Sequence, residues 1–298
     1  MKSVATAIRS VRRESDKGYC HAANWFLNRY YYRVLKRRWQ PCLVAGPEDA
    51  KRAMTVVVPA VEKDTLVLSQ CLRSVRSMIQ HHLHEIWVVA PESAAMRELA
   101  SAEGCRFMPE NDILPRPAAE LGCRGWILQQ LIKFNVSAFV TTPDYLVLDA
   151  DTVFLRPQVF FRSGKSVLRY SDQYELLYSR SLELVFKNPY RFPVSFVTHH
   201  MLFNVKFVRE LLALITQRFG RTWWEALLNE IDKGHPISLS EYELYGHFVM
   251  SKPGWRNSFC LEYWHGLDRD LADAGLLDSI RQTAAGRINT VSFHRHTQ

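Results

Sequence analysis

Two carboxylates one residue apart, Asp149 and Asp151, stand at the end of Tyr145-Leu-Val-Leu-Asp-Ala-Asp-Thr-Val-Phe-Leu-Arg-Pro157. Four residues suited to a buried strand, Tyr145 to Leu148, run straight into them. Carboxylates at i and i+2 on backbone just leaving a strand can turn toward the same small volume and offer hard oxygen ligands. Such ligands suit Mg²⁺ or Mn²⁺, ions that keep open positions for a substrate's phosphates. A metal held there would stabilise charge on a departing diphosphate, so the stretch suggests a nucleotide-diphosphate site.

The chain supplies a control for the bare pattern. Asp268-Arg-Asp270 has the same spacing in a polar context with no apolar run before it. Its expected state is a pair of solvated charges near a helix start, and the strand before the first pair is what sets that one apart.

The elements that would position Asp149 and Asp151 are legible from periodicity. Met54 to Val58 reads as a β-branched strand ending at Pro59. A helix follows from about Thr65, with Leu68, Cys71, Leu72, Val75 and Ile79 three and four apart. Glu85 to Ala90, a helix from Ser93 to Ala102 and a short strand from Cys105 to Met108 continue the alternation. Strand and helix in turn imply a parallel sheet with right-handed crossovers. In such a sheet ligands sit at the carboxyl ends of strands, where the aspartates fall.

Gly125 to Lys133 opens another helix whose apolar stripe, Ile127, Leu128, Leu131 and Ile132, leaves Gln129, Gln130 and Lys133 on other faces. Lys133 there is either solvated or able to reach a phosphate. Farther on come strands near Ser166 to Tyr170 and Pro193 to Thr198, the tandem His199-His200, and helices from about Lys206 to Arg218 and around Trp224 to Ile231. In Ser238-Leu-Ser-Glu-Tyr-Glu-Leu-Tyr-Gly246, both Ser238 with Glu241 and Ser240 with Glu243 have capping-box spacing. One box forms at a single helix start, which leaves the other glutamate free to act as a base or to hold a sugar hydroxyl. Arg287 to Phe293 reads as a last strand leading to His294 and His296.

At 298 residues, with 47% hydrophobic and 23% charged side chains, the chain suits an ordinary globular protein with a sizeable core. No apolar run is long enough for a membrane span, and the N-terminus lacks the apolar core of a secretory signal. A cytoplasmic protein is expected. The six cysteines are scattered without a Cys-x-x-Cys pair, which suits reduced, buried thiols. Residues 1–40 hold ten basic residues against Glu14 and Asp16, which accounts for the whole net charge of +8. Their aromatic stretch Trp25 to Trp39 fits docking on an anionic membrane surface, peripherally on the cytoplasmic face, or a helix packed on the main domain with a basic edge. No recognised nucleic-acid motif accompanies that charge, and no nucleic-acid partner is expected. The division expected is 1–52, a basic helical extension with a linker over Pro41 to Arg52, and 53–298, the α/β domain.

In order, a first strand opening into a loop with Glu62 and Asp64, then Gly-Trp-Ile-Leu-Gln-Gln-Leu-Ile-Lys, Leu-Asp-Ala-Asp-Thr, His-His-Met-Leu-Phe and Ser-Glu-Tyr-Glu-Leu-Tyr-Gly make a familiar set. The chain from about Thr55 to His296 resembles GT-A fold nucleotide-sugar glycosyltransferases, in a bacterial-type branch associated with surface polysaccharide assembly. The resemblance implies a Rossmann-like, mostly parallel sheet flanked by helices and a hexosyltransferase-type reaction. It implies a nucleotide-sugar donor, a glycan or lipid-linked acceptor and a Mn²⁺ or Mg²⁺ cofactor. Asp149, Asp151 and His294 would hold the metal, with His200 as a second choice or a contact to donor phosphates. Pro59 and Asp64 would lie near base and ribose, and Gln130, Lys133 and Asp149 would complete the donor site. Glu241 or Glu243 would deprotonate the acceptor in an inverting enzyme.

Two rival readings share the same residues. Asp149-Ala-Asp-Thr-Val153 also resembles the haloacid-dehalogenase phosphatase signature, with Asp149 as a phosphoryl-accepting nucleophile, although three strand-helix units precede it here. A membrane-docked scaffold that kept the fold without activity is the other. A P-loop is disfavoured, because Val159 stands where Gly164-Lys165-Ser166 would need its first glycine.

Overall fold

The structure, a computed structural model, describes residues 42–123, 125–171, 176–186, 195–231, 239–283 and 288–294. Its centre is a five-stranded sheet of β1 (Ala53–Pro59), β2 (His82–Ala90), β3 (Arg106–Pro109), β4 (Asp144–Leu148) and β8 (His200–Asn204). The strand order is β3-β2-β1-β4-β8. The first four strands run parallel and β8 closes the edge antiparallel to β4. This is the α/β class with a mostly parallel central sheet that the alternation of elements predicts.

Both faces of the sheet are covered, and strict alternation along the strands assigns each side chain to one face. Val56, Val58, Leu146 and Leu148 meet Leu68, Cys71, Leu72 and Val75 of helix α1 (Thr65–Met78). Their neighbours Val57, Tyr145 and Val147 meet Ile127 and Leu131 of a later helix, together with Leu211 and Tyr245. α1 is followed by α2 (Ala94–Ala102), and the later helices are α3 (Gly125–Asn135), α4 (Val205–Phe219) and α5 (Glu241–Ser251).

The order matters for function. β2 and β3 lie on one side of β1, whereas the chain returns on the other side to form β4. Neighbouring connections therefore diverge between β1 and β4, and a crevice opens outside their carboxyl ends.

Two small sheets accompany the central one. β5 (Thr152–Phe154), β10 (Gly266–Asp270) and β11 (Thr290–His294) form one, in the order β10-β11-β5. β6 (Phe161–Arg162), β7 (Lys165–Tyr170) and β9 (Phe259–Tyr263) form the other. The stretch expected as a strand from Pro193 to Thr198 contributes only a single bridge, Ser195 to Ser171, among its described residues. The expected linker before β1 is docked instead: Asp49, in the helical turn Pro47–Ala50, accepts the N–H groups of Ser163 and Gly164. Residues 1–40, with the membrane-docking expectation, and Ser238 and His296 lie outside the described residues. Among the described residues no helix is long and apolar enough to cross a membrane.

Helix α5 is buried along nearly its whole length, and Gly246 explains how. A Cβ at this position would run into the ring of Phe196. Gly246→Ala should therefore cost about 1–3 kcal/mol through overpacking, read as a lower midpoint in thermal unfolding.

Candidate active site

The antiparallel pairing of β4 with β8 sets the site's register. Leu148 lies opposite His200, and the Asp149 N–H donates to the His199 carbonyl one rung farther on, at 2.9 Å. Alternation therefore sends Leu148 and His200 to one face and Asp149 and His199 to the other. The paired register of β1 on β4 ends at Val57 opposite Val147, two residues before Pro59 and Asp149.

Asp149 is held from several sides. Its Oδ1 takes Lys133 Nζ at 2.7 Å and the Tyr242 hydroxyl at 3.1 Å, while its Oδ2 lies 3.4 Å from His199 Nδ1. Burial works against its charge, but Lys133 and His199 outweigh burial and hold the carboxyl well below its ordinary range. Lys133 also meets Glu241 Oε1 at 2.6 Å and sits over the Tyr242 ring. Burial alone would neutralise the ammonium, yet the two carboxylates keep it charged and push its pKa far up.

This overturns the solvated reading of Lys133, whose side chain is 2% exposed. Its hydrogen bonds are committed to protein groups, so it also does not offer itself to a donor phosphate. Gln130 is corrected in the same way. It is fully buried, gives its amide N–H to the Trp126 carbonyl and accepts the Glu241 N–H at the start of α5. The apolar stripe of α3 marks one packed face, but α5 covers a second, which periodicity within α3 does not reveal.

The glutamates of α5 are likewise occupied. Ser240 caps the helix by accepting the Glu243 N–H. Positions two apart on a helix point to nearly opposite sides, so Glu243 faces away from Lys133 and meets Ser195 Oγ at 2.5 Å, the Phe196 N–H and His247 Nε2. Glu241 is 1% exposed and paired with Lys133. Neither carboxylate is presented to an incoming hydroxyl, contrary to the expectation of a base at one of them.

Asp151 takes the other direction. Its backbone carbonyl accepts the Phe293 N–H, which ties it to β11, and its Oδ2 meets His294 Nδ1 at 3.0 Å. The opposite nitrogen of that ring, Nε2, is 3.5 Å from Asp268 Oδ1. Burial opposes a charge on His294, but Asp151 and Asp268 overcome it and raise its pKa to about 10. Asp64 folds the loop after β1 by accepting the Val61 N–H. Burial raises its carboxyl, and Asp151 and Asp149 add to the rise, which places all three carboxylates in one electrostatic neighbourhood.

Two residues join the site that the sequence reading did not nominate. Asp268 belongs to the pair expected to be solvated charges; it lies on β10 with His199 Nε2 at 3.6 Å. His199 replaces His200, which is fully buried, accepts from Arg169 at 2.7 Å and packs among Phe154, Phe160 and Trp264. Burial and the adjacent Arg169 hold His200 neutral, so it neither ligates a metal nor meets a donor phosphate. The alternation of Leu148 and Asp149 carried the signal for His199, once β8 is recognised as the partner of β4.

His199, Asp268 and His294 place one ligand atom each within 4.8 Å of one another. Carboxylates and imidazoles around a common point are a donor set that divalent ions accept. Asp149 and Glu241 share the buried Lys133 ammonium, whereas Asp151 and Asp268 meet at the His294 ring.

A family model matches residues 53–281, from the first strand to the helix before β11. The chain belongs to the family of unknown function DUF6492. The DUF6492 match includes Asp149, Asp151, His199 and Asp268 and stops short of His294. No curated protein matches the chain. Solved structures with a similar layout include mouse xyloside xylosyltransferase 1 in its apo form, at 14% identity and TM-score 0.45, covering 83% of this chain and 99% of that one. Galactosyltransferase LgtC in complex with donor and acceptor sugar analogs aligns at 13% identity and TM-score 0.45, over 82% and 88% of the two chains. Glucosyl-3-phosphoglycerate synthase from Mycobacterium tuberculosis, in complex with Mn²⁺, uridine diphosphate and phosphoglyceric acid, aligns at 16% identity and TM-score 0.36, over 58% and 66%. Likeness at these scores carries no argument about chemistry.

Proposed function

We propose that the protein is a GT-A type glycosyltransferase that moves a sugar from a nucleotide-sugar donor to an acceptor hydroxyl. The observation that carries this reading is the convergence of Asp149, Asp151, Asp268, His199 and His294 on the crevice where the connections of β1 and β4 diverge. In an open α/β sheet that is the place for a nucleotide, and a diphosphate in the midst of carboxylates requires a cation between them. Bound Mn²⁺ or Mg²⁺ supplies Lewis-acid neutralisation of charge on the leaving nucleoside diphosphate.

The chain's own residues do the positioning. Lys133, itself fixed by Glu241, holds Asp149 ionised and in one orientation. Asp151 and His294 hold each other, and β11 fixes the distance of that pair from β4. Pro59, at the end of β1, and the loop closed by Asp64 would lie near base and ribose. A glycan or lipid-linked acceptor in surface polysaccharide synthesis would explain a basic, aromatic stretch over residues 1–40, which would hold the enzyme at an anionic membrane face.

A thermal-shift panel of UDP, GDP, CMP and dTDP sugars, with and without Mn²⁺, tests the reading. One nucleotide class should raise the unfolding midpoint only when metal is present; at 100 times Kd the gain is about 2.7 kcal/mol. A flat panel with metal present would overturn it.

A further inference from the structure

At the end of the sheet opposite the crevice, a buried histidine has both ring nitrogens committed to backbone. His81, 7% exposed, directly precedes β2, whose first residue pairs with the first of β1. Its Nδ1 lies 2.9 Å from the Asp49 carbonyl in the turn Pro47–Ala50. Its Nε2 lies 2.7 Å from the Phe160 backbone nitrogen and 3.3 Å from that of Phe161. A carbonyl only accepts and an amide N–H only donates, so the backbone fixes this ring as neutral with its proton on Nδ1.

The ring sits where three segments are stitched together. The stretch leading into β6 runs beside the one leading into β2: the Gln158 N–H donates to the Met78 carbonyl at 2.7 Å, and the Gln80 N–H to the Gln158 carbonyl at 3.0 Å. Beyond Gln80 the His81 side chain takes over, receiving the N–H groups of Phe160 and Phe161. The third segment is 47–52. One carboxylate oxygen of Asp49 accepts the Ser163 N–H at 2.7 Å and the other the Gly164 N–H at 3.0 Å; these two residues, both at positive φ, turn β6 into β7. Arg52 donates to the Gly164 carbonyl at 3.0 Å and lies over the Phe161 ring.

A second proton reverses the arrangement. Imidazolium carries N–H on both nitrogens, so Nε2 would turn a hydrogen against the hydrogens of Phe160 and Phe161. It would also draw the Asp49 carboxylate, which now faces the turn at Ser163 and Gly164. The charges acting on the ring are Asp49 and Arg52 of the preceding segment and Arg169 of β7. Arg52 is shared with Asp144 and Arg169 with Glu262, while Glu48 and Lys51 pair with each other in solvent. Burial, joined by the two guanidinium groups, outweighs Asp49 and holds the ring's pKa below its ordinary 6.5.

We propose that His81 is an acid-sensitive latch: the neutral ring ties the β6–β7 hairpin to the segment 47–52, through which residues 1–40 join the domain, and protonation frees the hairpin. The latch lies at the far end of the sheet from the crevice and does not depend on glycosyl transfer. Its sign follows from linkage. The freed ring takes up a proton at a higher pH than the latched one, so the closed form is fully favoured above pH 6.5 and loses ground as pH falls through the latched value.

The test uses the full chain and nuclear magnetic resonance. Ring-nitrogen spectra of the wild type, assigned through bonds from the His81 backbone, should show the proton on Nδ1 at pH 7.5 and titration below 6.5. Amide exchange at Phe160, Phe161, Ser163 and Gly164, divided by the intrinsic rate at each pH, should speed up by as much as about tenfold between pH 7.5 and pH 5.5. Glutamine keeps an oxygen that accepts and an N–H that donates but does not titrate, so His81→Gln should abolish that dependence whatever its own level of protection. A proton on Nε2, titration at or above 6.5, wild-type protection that stays constant over this range, or a pH dependence that survives in His81→Gln would each overturn the latch. The wild-type ring spectrum decides by itself if His81→Gln does not fold.

Discussion

Replacing Lys133 with methionine should destabilise the protein by about 3–5 kcal/mol, because removing one member of a buried ion cluster leaves the others without compensation. Methionine keeps most of the volume, so lost packing contributes little. Asp149 and Glu241, each now in contact with Lys133, would face one another with no cation between them. For a chain of this size a loss of 1 kcal/mol lowers the unfolding midpoint by about 2–4 °C, so the change is easily measured.

The pH dependence distinguishes charge from packing. In the wild type the Asp149 carboxyl is held below its ordinary 3.8, so its contribution is present above that pH and lost only as pH falls through the lower folded value. The Lys133 ammonium is raised above its ordinary 10.5, so its contribution is complete below that pH and lost as pH rises through the folded value. Neither changes between pH 5 and pH 8. In Lys133→Met, repulsion and burial push Asp149 up instead and push Glu241, already raised by burial in the wild type, higher still; a group with a raised folded pKa contributes stability at low pH that is lost as pH rises. The gap in unfolding midpoint between wild type and Lys133→Met should therefore be smaller at pH 5 than at pH 8. An equal gap at both would mean that the lysine's packing, not its charge, is what matters.

Replacing His294 with alanine should lower metal-dependent sugar transfer by about 10²-fold or more, since a metal that stabilises a leaving group contributes several kcal/mol. The ring is the meeting point of Asp151 and Asp268 and approaches His199, so its loss opens the cluster from the side of β11. The strand itself should survive, because its backbone pairs with β5 and β10 do not involve the ring. The check is an initial-rate assay at saturating Mn²⁺ beside a circular-dichroism melt. Transfer within threefold of wild type, from a protein that melts normally, would remove His294 from the site.

The main domain's layers are written in local patterns. β1, α1, β2, α2, β3 and α3 come out of periods of two and of three and four, because each buries its own apolar face and reports that in its own residues. The strand before Asp149 is equally plain. Partnerships between segments far apart in the chain were not. Whether His199 or His200 enters the crevice depends on β8 pairing with β4, and a slip of one residue in that pairing would exchange them. Lys133 looks like a surface lysine within α3, and only the docking of α5 on it, more than a hundred residues later, makes it the buried centre of an ion cluster. Asp268 has an unremarkable local context, and β10 beside β11 brings it to His294. The sequence alone determined which elements form and where their apolar faces lie, since those depend on residues within a few turns or rungs. Which polar groups converge was decided by the tertiary structure, because long-range register and helix docking decide whether a charge is solvated or held by partners distant in the chain.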